Sequence, residues 1–197
     1  MIIGVAGMSA SGKTTFCTEL IRHLPGAQLI HFDDYWHLDR IPTHNGIKNW
    51  ELPQNLNFER IIEVLTLLQQ HESAKGLRIV REEGKKSRQE DIEIIPSPFI
   101  IVEGFLLFYD SRVCDLLDMK IYLDIDEETS VTRRLTRGRS GRNDAEHYYR
   151  EFVVKEYRQH GLPTKDVADI VLDATKNIEE NVKIILQKIS DYPPTNR

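Results

Sequence analysis

Gly7-Met8-Ser9-Ala10-Ser11-Gly12-Lys13-Thr14 lies between a wholly apolar segment, Ile2–Ala6, and a helical pattern near Lys13–Leu24. The octapeptide fits G-x-x-x-x-G-K-[ST], and its place between a strand and a helix gives that pattern its meaning. Gly7 and Gly12 permit unusual dihedrals, so successive backbone N–H groups can face one anion. The N-terminus of the following helix adds partial positive charge. Lys13 can reach β- and γ-phosphates, and the Thr14 hydroxyl can hold magnesium. A flexible serine–glycine turn with a chance lysine is the rival reading, but it leaves the agreement of pattern, strand and helix unexplained. The motif identifies nucleotide phosphate binding and not the reaction that follows.

Outward from this loop, apolar runs alternate with helical patterns. Gln28–Phe32, Phe99–Val102, Lys120–Asp124 and Asp169–Leu172 read as further strands, and Phe58–Leu68 places Ile61, Ile62, Leu65 and Leu68 on one helical face. Ile178, Val182, Ile185, Leu186 and Ile189 mark a last helix behind Glu179 and Glu180. Strands apolar on both faces and separated by helices imply a mostly parallel sheet covered on both sides. The expected fold class is therefore α/β, a three-layer P-loop NTPase fold with an arginine-rich lid. One domain over 1–190 is expected, with a lid at about 137–146 and a loose tail at 191–197. The charged stretch Leu77–Ile95, around Gly84-Lys85-Lys86, reads as a hairpin projecting from the sheet.

Bulk properties narrow the classes. The 197 residues are 40% hydrophobic and 29% charged, as in an ordinary globular chain with a continuous core. A net charge of -5 argues against a protein built to coat nucleic acid. Two cysteines, Cys17 and Cys114, make neither a disulfide framework nor a four-ligand zinc site. No run approaches about 20 apolar residues, so no membrane span is expected. Met1–Gly7 has no signal-peptide character, and a cytoplasmic location is the expectation.

Ligands of such sheets sit beyond the carboxyl ends of the strands. Asp33 and Asp34 fall at the end of the second strand, where a carboxylate can take a proton from an attacking hydroxyl and touch magnesium through water. Turn formation or helix capping is the bland alternative. Glu103 ends the strand Phe99–Val102 and suits magnesium or its water shell. Trp36 and Trp50 flank this region, and flat aromatic faces can clamp a planar base, though either ring could equally be core. Glu51, beside Trp50, can accept hydrogen bonds from a ribose diol. Arg133, Arg134, Arg137, Arg139 and Arg142 crowd one short stretch, with Arg133 and Arg137 on one helical face and Gly138 and Gly141 making the rest pliable. Such a segment can close over ATP and put guanidinium groups on the transferring phosphoryl. A solvated face or a nucleic-acid arm are its competitors. The seven histidines, His31 and His37 among them, read as ordinary residues.

Gly7–Thr15, His31-Phe32-Asp33-Asp34-Tyr35-Trp36 and Ile101-Val102-Glu103-Gly104-Phe105-Leu106-Leu107-Phe108 together resemble the uridine kinase and nicotinamide riboside kinase group. The resemblance continues through Arg133–Arg137 and Val171-Leu172-Asp173-Ala174-Thr175-Lys176, so it covers nearly the whole chain. It implies an ATP- and Mg²⁺-dependent kinase acting on the 5′-hydroxyl of a small-molecule ribonucleoside. Asp33 matches the family's catalytic base, with Lys13, Arg133 and Arg137 as its catalytic partners. Gly7, Ser9, Ala10, Ser11, Gly12, Lys13, Thr14, Thr15 and Arg133 match its ATP-binding positions. Thr14, Asp33 and Glu103 match its magnesium residues. Trp36 and Trp50 match the aromatics that sandwich the base, and Asp33, Glu51 and Arg139 complete the acceptor side. The segment after Asp173 resembles the loop beside adenine. Glu51 stands where the family often has aspartate, and the charged insert is more like the base-contacting hairpin of uridine kinases. Alternatives from the residues alone are a kinase of another metabolite, of pantothenate or sugar type, and a nucleotide-gated switch. The chain lacks the Asn-Lys-x-Asp motif that reads guanine. Neither nucleic acid nor a membrane is an expected partner.

Overall fold

The structure is a computed structural model, and it describes residues 1–82, 87–136 and 145–192. In chain order its elements are β1 (Ile2–Gly7), α1 (Lys13–Arg22), β2 (Gln28–His31), β3 (Thr43–His44), β4 (Ile47–Lys48), α2 (Phe58–Gln69), β5 (Ala74–Val80), β6 (Arg88–Ile94), β7 (Ile100–Glu103), α3 (Ser111–Cys114), β8 (Met119–Asp124), α4 (Glu127–Thr136), α5 (Ala145–Tyr148), β9 (Ile170–Asp173) and α6 (Ile178–Ser190). Beyond α5 the helix widens into π-type turns at Tyr149–Val154 and Tyr157–Gly161.

Five strands form one parallel sheet in the order β2-β7-β1-β8-β9. These are the five apolar runs of the sequence, shifted at most by a residue or two. β1 lies in the middle and is buried throughout, which is why its residues are apolar on both faces. Side chains alternate across it. Ile3 and Val5 pack with Phe16 and Leu20 of α1 and Val182 and Ile185 of α6. Ile2 and Ala6 join the opposite core, with Ile61 and Leu65 of α2, Val131 of α4, and Tyr149 and Tyr157. Helices thus cover both faces. Local signals start them: the Asn57 side chain accepts from Arg60 N–H at 3.0 Å to open α2, and Asn177 accepts from Glu179 N–H at 2.8 Å to open α6.

The charged insert is an antiparallel hairpin, β5 with β6, paired from Ala74–Ile94 to Val80–Arg88 and separate from the main sheet. It begins three residues before the expected start, because Ala74 is buried against the core. Gln89 ties it down, its Nε2 donating to the carbonyls of Asp34 and Trp36 at 2.8 Å each. The hairpin tip at Gly84-Lys85-Lys86 lies outside the described residues, as do Arg137, Arg139 and Arg142 with most of the expected lid, and 193–197 of the expected tail. No helix among the described residues is long and apolar enough to cross a membrane.

Candidate active site

Because β2, β7 and β1 are parallel neighbours, their carboxyl ends bring the Gly7–Thr14 loop, Asp33 and Glu103 to one edge. The loop needs its unusual backbone: Gly7 has φ 145°, Ala10 62° and Gly12 98°. A Cβ on Gly7 would stand 2.4 Å from the Leu123 carbonyl oxygen, so no side chain fits there. The Lys13 ammonium is buried and donates to the carbonyls of Gly7 (3.0 Å) and Met8 (3.1 Å). Those bonds hold a cation at the loop's mouth.

Glu103 is the electrostatic hinge of this edge. Thr14 Oγ1 donates to its Oε1 at 2.9 Å, and His31 Nδ1 lies 2.8 Å from the same oxygen. Burial pushes the Glu103 carboxyl up, but the His31 hydrogen bond and the Lys13 charge outweigh it and hold the group below its ordinary value. The same bond raises His31, against the opposing effect of its own desolvation. His31 was read from sequence as ordinary.

Asp33 is partly exposed as a residue, but its Oδ1 is sealed from solvent and has no hydrogen-bond partner among the described residues. Desolvation first, then the negative Glu103, push its carboxyl up to about 6, against the pull of Lys13 and the Phe105 N–H. Gly104 leaves room beside it: a Cβ there would meet Phe32 Cβ at 2.8 Å and Asp33 Oδ1 at 3.5 Å. Desolvation raises the Asp34 carboxyl, and His31 first, then the Ile79 N–H, Arg81 and Arg78 on the hairpin side, offset part of that rise. The negative Asp34 adds to the rise of the Asp33 carboxyl, and Lys13 opposes it.

On the acceptor side, Trp36 and Trp50 meet edge to face, centroids 5.8 Å apart at 88°. Trp36 also stacks on Phe105 at 5.9 Å and is nearly buried, so it is part of the wall, and Lys48 Nζ covers a Trp50 face at 5.7 Å. Tyr148 OH donates to Glu51 Oε1 at 3.1 Å. Desolvation of the Glu51 carboxyl pushes it up to about 7, with the Tyr148 bond opposing and the charge of Asp33 adding to the rise. The Glu51 carboxyl thus lies within electrostatic reach of Asp33.

Arg133 bridges two loops. Its guanidinium donates to the Ser11 carbonyl at 3.4 Å and the Ala174 carbonyl at 3.0 Å, tying the phosphate loop to the segment after β9. Beside it a cleft of about 310 Å³ runs from Ser11, Gly12 and Thr15 to Arg133, Lys176 and Ile178. Its position next to the loop suits the adenosine half of a nucleotide. No cluster of three or more His, Cys, Asp or Glu side chains is placed to hold a metal among the described residues. Thr14, Asp33 and Glu103 instead offer a hydroxyl and two carboxylates, hard oxygen donors of the kind magnesium shares with phosphates and water.

A family model described as Phosphoribulokinase / Uridine kinase family matches residues 2–179. The chain belongs to that family. Among curated members, it is 34% identical to a uridine kinase of Leuconostoc citreum over 87% of this chain and 86% of that protein. It is 31% identical to a uridine kinase of Ligilactobacillus salivarius over 97% and 93%. A solved structure from Bacillus stearothermophilus, described as a possible uridine kinase, superposes with a TM-score of 0.56 over 88% of each chain at 22% identity. That likeness concerns the fold. Against this phosphoribulokinase / uridine kinase background, the residues missed from sequence are those that join loops: His31, Gln89, Asn49, Ser130, Tyr148 and Tyr149. Apart from His31, which opens the stretch His31–Trp36, none stands in a motif quoted from the sequence.

Proposed function

We propose that this protein transfers the γ-phosphoryl group of ATP to the 5′-hydroxyl of a ribonucleoside of the uridine/cytidine or nicotinamide riboside type, with Mg²⁺. The observation that carries the reading is Asp33: an unpartnered carboxylate oxygen, at the same strand edge as the Lys13 loop and within electrostatic reach of Lys13. A buried acceptor with no donor of its own is suited to receive one from a substrate hydroxyl. The family membership and the uridine kinase relatives support the same acceptor class.

In this mechanism the acceptor oxygen attacks the γ-phosphorus in line, the bond to the β,γ-bridging oxygen breaks, and ADP leaves. Asp33 takes the hydroxyl proton as the new P–O bond forms. Lys13 and the N–H groups of the loop bind the phosphate oxygens, and Arg133 fixes the loop against the nucleoside cleft of ATP. Glu51 holds the ribose diol, oriented by Tyr148. Thr14, Asp33 and Glu103 would hold magnesium, which would supply positive charge against the transferring phosphoryl group. Asp33, Glu51 and the buried Glu156 make the acceptor side acidic, which disfavours a phosphorylated sugar and favours a neutral or cationic nucleoside.

The test is magnesium-ATP turnover against uridine, cytidine, nicotinamide riboside, pantothenate and a sugar phosphate. ADP release stimulated by at least one nucleoside is expected. Stimulation by pantothenate or the sugar phosphate alone would overturn the reading.

A further inference from the structure

Tyr148 and Tyr149 are consecutive, yet their hydroxyls hold two different loops. Tyr148 OH donates to Glu51 Oε1 at 3.1 Å and lies 3.3 Å from the Trp50 N–H, which donates to it. Tyr149 OH reaches the Ser9 carbonyl at 2.9 Å and Ser130 Oγ at 2.7 Å, and Ser130 Oγ itself lies 2.7 Å from the Ser9 carbonyl. Neighbours on a helix point about 100° apart, so one short helical segment grips the acceptor loop with one residue and the phosphate loop with the next. A second bond reinforces the acceptor-side grip: buried Asn49 Nδ2 donates to buried Glu156 Oε1 at 3.1 Å, one helical stretch further on, while Asn49 Oδ1 accepts from the Glu51 N–H at 3.0 Å.

The phosphate-side grip has a defined consequence. A trans peptide points its C=O and the next N–H in opposite directions. Holding the Ser9 carbonyl on Tyr149, whose side chain is almost fully buried, therefore turns the Ala10 N–H away from the protein interior. Ala10 is the loop's non-glycine residue at positive φ, and its peptide needs such a restraint to stay put. Tyr148 restrains the Glu51 carboxylate in the same manner. Neither hydroxyl has a packing reason to exist, since phenylalanine would fill both places.

We propose that the Tyr148–Tyr149 pair is a positioning device that couples the acceptor loop to the phosphate loop, so that nucleoside and ATP each strengthen the binding of the other. The two tyrosines touch neither reacting atom; they act through Glu51 and through the Ser9–Ala10 peptide. The proposal rests on the nucleoside kinase reading above. Coupling of this kind is reciprocal, and typical values are about 5- to 150-fold in affinity.

The experiment measures the Kd of magnesium AMP-PNP with and without whichever of uridine, cytidine and nicotinamide riboside turns over fastest. In the unmodified protein the nucleoside should tighten AMP-PNP by about 5-fold or more. In Tyr148→Phe and in Tyr149→Phe that ratio should fall to within about 2-fold of unity, and the double variant should be no worse than either single one. Loss of general stability would shift both Kd values together and leave the ratio alone, so the ratio separates coupling from a structural role. Should Tyr149→Phe fail to fold, Tyr148→Phe carries the test, since its ring is only half-buried and the change removes the hydroxyl that holds Glu51 and the Trp50 N–H. A ratio in Tyr148→Phe equal to that of the unmodified protein, or no ratio above unity in the unmodified protein, would overturn the proposal while nucleoside turnover left the function standing. Absence of turnover with every nucleoside would instead sink the functional reading and the coupling with it.

Discussion

Asp33 concentrates the chemistry in one carboxylate. Replacing it by asparagine keeps the shape and removes the proton acceptor, so turnover should fall by about 10²–10⁴-fold. Nucleotide affinity should stay nearly intact, measured by titration of magnesium AMP-PNP. Its carboxyl is pushed up to about 6, so it becomes an effective base only as pH rises through that value. The rate should therefore climb between pH 5 and 7 and flatten above, and Asp33→Asn should lack that climb. Gly7 illustrates the opposite kind of residue, one needed for what it does not have. Gly7→Ala would put a Cβ 2.4 Å from backbone at φ 145°, and a cost of about 1–3 kcal/mol with loss of ATP binding should appear in thermal melts and titration. Both positions were legible: the glycine from its motif, the aspartate from its place just past a strand end. His31 was not, because it stands between apolar Ile30 and Phe32 with no motif spacing of its own, and only the fold brings Glu103 within 2.8 Å.

Elements show why some of the architecture could be read and some not. β1 and the first three residues of β7 are apolar on both faces, and that pattern has few interpretations in a chain that also carries helical periodicity. The hairpin was placed despite its charge, although the partner of Gln89 was invisible in sequence. Gln89→Ala should loosen the Asp34–Trp36 segment and raise KM for the acceptor, with the KM for ATP unchanged in steady-state kinetics. The π-type turns after Tyr148 left no sequence trace, since no residue type marks them as glycine marks a tight turn. Spacing in the chain likewise does not set how Trp36 and Trp50 meet, and Trp36 stacks on Phe105, which lies far off in the chain. At the same junction Gly104→Ala would overpack Phe32, with an expected loss of about 1–3 kcal/mol in denaturant unfolding.

Across the whole molecule, the parallel sheet gathers the ends of three strands at one edge and concentrates negative charge there. Asp33 and Glu51 both have carboxyls raised above their ordinary range, so the folded state binds more protons than the unfolded chain over that interval. Stability from these groups is present at low pH and is lost as pH rises through about 6 for Asp33 and about 7 for Glu51. His31, also raised, acts in the same direction above its ordinary value. Melting temperature should therefore decline from these groups between pH 5 and 8, and the decline should be shallower in Glu51→Gln. The account as a whole depends on two ligands sharing that edge. The direct measurement is a crystal structure with magnesium AMP-PNP and the nucleoside together. The expected result is a 5′-oxygen in hydrogen-bond reach of Asp33, about 2.6–3.2 Å, and about 3–3.5 Å from the γ-phosphorus. A nucleoside bound away from Asp33, or triphosphate outside the Gly7–Thr14 loop, would contradict it.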